Sequence, residues 1–178
     1  MNIVLEQYIR NIIKEAQISN VQLYHMTSKQ NVEQILKFGL KINSQNALTT
    51  HAFEPWMRQI YGGKKPIFLM TDTQALMKQY DYDRQFDVIL VIQGNINVVV
   101  DIPSLMDYGA HVEEHSIWFE DAPDMLKEYM QGEEIYFDEL FEDDGLIKAC
   151  MKLTKSCASV SDIPAQYIRV LQMQQTGF

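Results

Sequence analysis

Between residues 3 and 16 the apolar positions Leu5, Tyr8, Ile9, Ile12, Ile13 and Ala16 recur three and four residues apart, with Glu6, Arg10, Lys14 and Glu15 between them. That period predicts an amphipathic helix over 3–16, broken at Ser19-Asn20. The pattern then changes. VQLYHMT, 21–27, has the apolar alternation of a short strand. Ser28 stands where a helix N-cap is expected. Over 29–38, Val32, Ile35 and Leu36 form the inner side of a second helix, and Gly39 is its C-terminal stop.

The stretch 43–65 is polar, with one short helix predicted around Phe53–Tyr61 and ended by Gly62-Gly63. Pro66 to Met70 reads as a buried strand. Thr71 or Asp72 then caps a helix that turns Ala75, Leu76 and Tyr80 inward. DVILVIQG, 87–94, and NINVVVDI, 95–102, are strong β runs around Gly94-Asn95, which predicts a hairpin or meander. A short helix is expected over 122–131, a strand over 134–140 (EIYFDEL), a helix at about 146–157 and a closing strand around 167–173. Strands and helices alternate irregularly, which gives an α+β class rather than a doubly wound parallel sheet.

The 178 residues suit one domain with a core of its own. No apolar run approaches the roughly 20 residues of a membrane span. The first residues lack the basic, continuously apolar and small-residue parts of a signal peptide. Two cysteines, Cys150 and Cys157, cannot form a disulfide framework and suit reduced thiols in a cytoplasm. Both are placed on the predicted helix, facing the core. The net charge of -9 is uneven: residues 101–144 carry fifteen acids and one base, Lys127, so the remainder is net positive. Such a chain is a poor generic nucleic-acid binder, because phosphate affinity scales with the cations presented.

Chemistry concentrates in LYHMTSKQNVEQILKFGL, 23–40. His25 and Thr27, two apart on a strand, share a face, and the following helix ends in Gly39-Leu40. This segment resembles the opening of the ADP-ribosyltransferase fold, in which a strand with H-x-T/S feeds a helix closing I-L-x-x-G-L. KPIFLMTD stands where members with a His–Tyr–Glu triad carry G-I-Y-F-A-D, with Phe68 at the first Tyr. Tyr80 falls near the second aromatic of the poly(ADP-ribose) polymerase group. GEEIYFD, 132–138, is similar to the N-E-Y-I-V-Y-D strand and puts Glu133 at the catalytic Glu. DIPAQYI, 162–168, is similar to the closing I-P-x-x-Y-I.

The resemblance implies a single-domain, split antiparallel β-sheet core with flanking helices over 19–178, preceded by an N-terminal helix over 1–18. It implies an NAD-dependent ADP-ribosyltransferase, with NAD as co-substrate and a protein acceptor ahead of a nucleic-acid one. His25 and Thr27 would hold NAD, Phe68 and Tyr80 would stack on nicotinamide, and Glu133, with His25, would be catalytic. Cleaving the nicotinamide bond creates an oxocarbenium-like ribose, which a carboxylate stabilises. Many members with this ending carry the acid fewer than ten residues before the Pro, yet 153–161 reads LTKSCASVS. The alternative is therefore a non-catalytic module of the same fold that binds or scaffolds. A relative acting on RNA 2′-phosphate ends would use several arginines, and Arg10, Arg58, Arg84 and Arg169 all lie away from His25 in sequence. LEQYIRNIIKEA resembles the opening helix of many small tailed-phage proteins, which implies a phage origin and the host cytoplasm as setting.

Taken singly, each of these residues has a plainer reading. His25 is a core histidine bonded to a carbonyl, Thr27 a helix-capping residue, Phe68 and Tyr80 core aromatics, and Glu133 a solvated strand residue. His111-Val112-Glu113-Glu114-His115 spells the H-x-x-E-H pattern of inverted zinc peptidases. Its surroundings, with Tyr108-Gly109 before it and β-branched and aromatic residues after it, argue against the long helix that pattern needs, and for two surface histidines. No phosphate-binding glycine loop and no G-x-S-x-G elbow is present.

Overall fold

The computed structural model describes residues 16–18, 21–42, 59–74, 76 and 88–171. The chain order is β1 (Ala16–Ile18), β2 (Gln22–Thr27), α1 (Lys29–Phe38), β3 (Ile67–Met70), β4 (Val88–Gln93), β5 (Ile96–Val98), α2 (Ile102–Met106), β6 (Ala110–Val112), β7 (Ser116–Phe119), a 3-10 helix (Asp124–Tyr129), β8 (Glu134–Tyr136), α3 (Phe137–Glu142), α4 (Asp144–Thr154), β9 (Ser156–Ser159), a 3-10 turn (Ala165–Tyr167) and β10 (Ile168–Val170). The class is α+β, and every strand pair is antiparallel.

A five-stranded sheet runs β10-β4-β2-β3-β9, a three-stranded one β6-β7-β8, and β1 pairs with β5. β4 lies between β10 and β2 and buries Ile89 through Ile92 in succession, which is why its sequence is an unbroken apolar run. The main core gathers Leu23, Leu69, Leu90 and Ile92 of this sheet with Ile117, Ile135 and the α3–α4 residues Leu140, Phe141, Leu146 and Ile147. A smaller cluster of Met26, Leu76 and Ile89 covers the other face.

Several expectations are corrected. Ala16–Ile18 is a strand, register-paired with Ile96–Val98, so the segment 1–18 does not end as helix; residues 3–15 lie outside the described ones. β4 and β5 do not form a hairpin, because β2 and β10 occupy both edges of β4 and β5 turns to β1 instead. Val99 then bridges to Ala158 of β9. Leu36 is not inside: α1 buries none of its residues, and Leu36 is 42% exposed.

The strand expected over 134–140 stops at Tyr136. Glu139 turns its carboxylate back to the backbone N–H of Tyr136 at 3.2 Å, and Phe137–Glu142 is helix. The helix expected to reach residue 157 stops at Thr154, where Lys155 adopts a left-handed φ of 59° and Ser156–Ser159 pairs with β3. Cys157 is thus a strand residue and does not share a helix face with Cys150. The helix expected over 122–131 is a 3-10 helix over Asp124–Tyr129. Most of the helix expected at Phe53–Tyr61 lies outside the described residues; Gln59 and Ile60 are helical and Gly62-Gly63 turns the chain.

Candidate functional site

β2 is held to β4 by six register pairs, from Gln22↔Gln93 to Thr27↔Val88. Its other edge shares one pair with β3, Tyr24↔Met70, whereas β3 continues for four pairs with β9. β2 and β3 are thus neighbours in one continuous sheet, joined by a single register pair. Leu23, His25 and Thr27 alternate onto one face of β2. His25 is half-buried at this β2–β3 junction, and its Nδ1 lies 3.0 Å from the carbonyl oxygen of Phe68 on β3. A carbonyl only accepts, so Nδ1 carries the proton and Nε2 keeps a lone pair. Burial pushes the imidazole pKa down, against an upward pull from the Phe68 bond, which keeps the ring neutral.

Thr27 is buried at the end of the strand. Ser28 occupies the N-cap position of α1, as expected, but makes no side-chain cap bond; its Oγ is buried without a hydrogen-bond partner. Gly39 ends the helix at φ 83°, its N–H donating to Ile35. Phe68 is half-buried, with its ring 6.4 Å from and edge-on to Tyr61. Tyr61 is a core anchor that sequence reasoning missed. Its hydroxyl donates to the Val100 carbonyl and accepts from the Ile102 N–H, both at 3.0 Å. Tyr80 lies outside the described residues.

Glu133 is exposed. Its backbone carbonyl accepts from Phe119 N–H at 3.1 Å. Its side chain lines an open groove of about 450 Å³ on the three-stranded sheet, together with Glu134, Glu113, Glu114, Trp118 and Tyr136. The residues lining that groove come from the 113–118 and 133–136 segments, none from β2, β3 or α1. So His25 bonds the Phe68 backbone between β2 and β3, Thr27 shares its strand face, and Glu133 lies in a separate groove.

β9, which borders β3, presents Ser156, Cys157, Ala158 and Ser159, all buried. The buried carboxylate in this part of the fold is Asp101, one of the fifteen acids that sequence alone did not separate. It accepts from Ser104 N–H at 3.1 Å and Ser104 Oγ at 2.8 Å, and burial pushes its pKa up against those bonds. It caps α2, a structural task.

The H-x-x-E-H segment forms a β-turn region rather than a helix. His111 sits on β6 and stacks on Trp118, while His115 lies in the turn beyond. Among the described residues no group of three His, Cys, Asp or Glu side chains is arranged to hold a metal ion. Nor is any helix among them long and apolar enough to cross a membrane.

No family model, curated protein or solved structure matches the chain.

Proposed function

We propose that the chain is an ADP-ribosyltransferase-like binding module that takes NAD at the junction of β2 and β3 without transferring ADP-ribose. One observation carries this reading: His25 is fixed by the Phe68 carbonyl as the tautomer with a free Nε2. That nitrogen accepts a hydrogen bond from a ribose hydroxyl. The buried Ser28 hydroxyl, left without a partner beside Thr27, gains one from a polar ligand at the same strand–helix junction. Phe68 and Tyr80 supply the aromatic surface for nicotinamide that the resemblance implies. Stabilising an oxocarbenium ribose needs a carboxylate at hydrogen-bond range, and the position of Glu133 in a separate groove favours binding over transfer.

Calorimetry with NAD tests the reading. The unaltered protein is expected to bind, and His25→Ala to weaken binding at least about tenfold, the loss of a little over 1 kcal/mol. No heat of binding from the unaltered protein overturns it.

A second reading keeps the protein as an NAD-dependent ADP-ribosyltransferase acting on a protein acceptor in the cytoplasm, with Glu133 as the catalytic acid. The exposure of Glu133 in an open groove favours access by a macromolecular acceptor. Incubation with labelled NAD and cell lysate separates the two. Label that is transferred by the unaltered protein and lost in Glu133→Gln establishes transfer.

A further inference from the structure

The outer face of the three-stranded sheet has no part in NAD binding at His25; of its residues only Glu133 enters the transferase reading. Along β7, Ile117 and Phe119 point into the core, while Ser116 and Trp118 point to the other side. Register pairs set His111 and Glu134 beside Trp118, and Tyr136 beside Ser116. Trp118 is held in place from two directions. The His111 ring stacks on it at 4.3 Å with planes 17° apart, and its Nε1 donates to Glu113 at 3.3 Å. Glu134 is oriented by the Ser116 hydroxyl at 3.3 Å. The face is concave, with a volume of about 450 Å³.

Four carboxylates, Glu113, Glu114, Glu133 and Glu134, line this groove with the two aromatic rings. Among the described residues, His115 lies 3.7 Å from Glu114 in the lining, an exposed contact that is ionic only when the imidazole is protonated and is of little strength. Among the described residues, no three of these carboxylates converge on a point that could hold a metal ion. The complement to such a surface is extended and cationic. A guanidinium or ammonium group gains a carboxylate partner and an indole or phenol face in one place. The indole is pre-positioned, which removes part of the ordering cost of binding.

We infer that this sheet face is a docking groove for an arginine- or lysine-bearing segment of a partner protein. Trp118 and Tyr136 are the anchors, and the four glutamates set charge and register. The steering field comes from the same acidic stretch, 101–144, that repels nucleic-acid backbones.

The test is fluorescence anisotropy on the whole chain, with a labelled peptide of about a dozen alternating Arg and Ser residues and its citrulline counterpart. The arginine peptide is expected to bind with steep salt dependence and the citrulline peptide is not. Glu113→Gln with Glu134→Gln, which keeps side-chain shape, is expected to weaken binding about tenfold or more, and Trp118→Leu to weaken it comparably. Glu120→Gln with Asp121→Asn, on exposed acids outside the groove, leaves it unchanged. His25→Ala also leaves it unchanged, which separates this inference from NAD binding.

Equal weakening by the groove and control pairs reduces the effect to diffuse charge and overturns the proposal. So does equal binding of both peptides, or no binding at all. A concentration-dependent dimer lost in the groove variants assigns the face to a second copy of the chain and overturns it too.

Discussion

The His25 imidazole donates from Nδ1 to the carbonyl of Phe68 at 3.0 Å, across an edge where β2 and β3 share only the Tyr24↔Met70 pair. A side chain thus does there what ladder hydrogen bonds do elsewhere in the sheet. Removing it in His25→Ala leaves the carbonyl without that donor and is expected to cost about 1–2 kcal/mol, read from urea unfolding. His25→Asn retains an N–H donor, but its Oδ1 acceptor, on a shorter side chain, does not reach the place of Nε2. It is expected to recover part of the stability and none of the NAD affinity. Recovery of both would show that Nε2 takes no part in binding.

The same ring sets a pH dependence with a definite sign. Burial lowers its folded-state pKa below the ordinary 6.5. Below that value the unfolded chain therefore binds more protons than the folded one. The contribution of His25 is complete above 6.5 and is lost as pH falls from there toward the folded-state pKa. Relative to His25→Asn, the urea midpoint of the unaltered protein should fall as pH is lowered below 6.5. Asp101, whose pKa burial raises, acts in the opposite direction, stabilising below its ordinary 3.8 and losing that contribution as pH rises through its folded-state value. Comparison with His25→Asn cancels it. A flat difference between the two proteins would contradict the neutral ring.

Gly39 is irreplaceable for two independent reasons. Its φ of 83° disfavours any side chain, and a Cβ there would run into the carbonyl oxygen of Ile163. That carbonyl accepts from the Leu40 N–H at 3.0 Å, while Asp162 receives the Ile42 N–H at 3.0 Å and the Lys41 ammonium at 2.9 Å. Gly39→Ala therefore strains the turn and parts the 39–42 segment from 162–165. A loss of about 2–4 kcal/mol is expected in thermal or urea unfolding. Lys41→Ala, which removes only an exposed pair, should cost under about 1 kcal/mol.

The two thiols should be inert in the folded protein. Burial pushes Cys150 up to about 12 and raises Cys157 as well, with the Asp101 charge adding to the latter. The thiolate is the reactive form. Iodoacetamide at about pH 8 should label neither in native buffer and both in concentrated denaturant, as counted by intact mass. Labelling of the native protein would mean that the α4–β9 region opens readily.

Local pattern carries most of the strands and α1. The alternation of 21–27, the apolar run of β4 and the Gly39 stop each act within a few residues, so neighbouring residues suffice to specify them. The pairing of His25 with Thr27 on one face follows from strand geometry alone. Not every failure was decided at a distance. Tyr136 ends β8 through a local cap, the Glu139 carboxylate three residues on folding back on its N–H, whereas Lys155 ends α4 because Ser156–Ser159 completes the edge of the distant β3.

Glu133 matched a motif in an acid-rich stretch, where one carboxylate resembles the next. Its place in a groove on the three-stranded sheet depends on β6-β7-β8 pairing, of which β6 and β7 left no clear local signal. The sequence by itself determined an α+β chain with a His-x-Thr strand feeding a Gly-ended helix, because those features need only local periodicity and backbone sterics. The tertiary structure alone decided that β2 and β3 share a single register pair, that His25 bonds the Phe68 carbonyl there and that the glutamates line a different surface. Each of these rests on hydrogen bonds and packing between segments far apart in the chain.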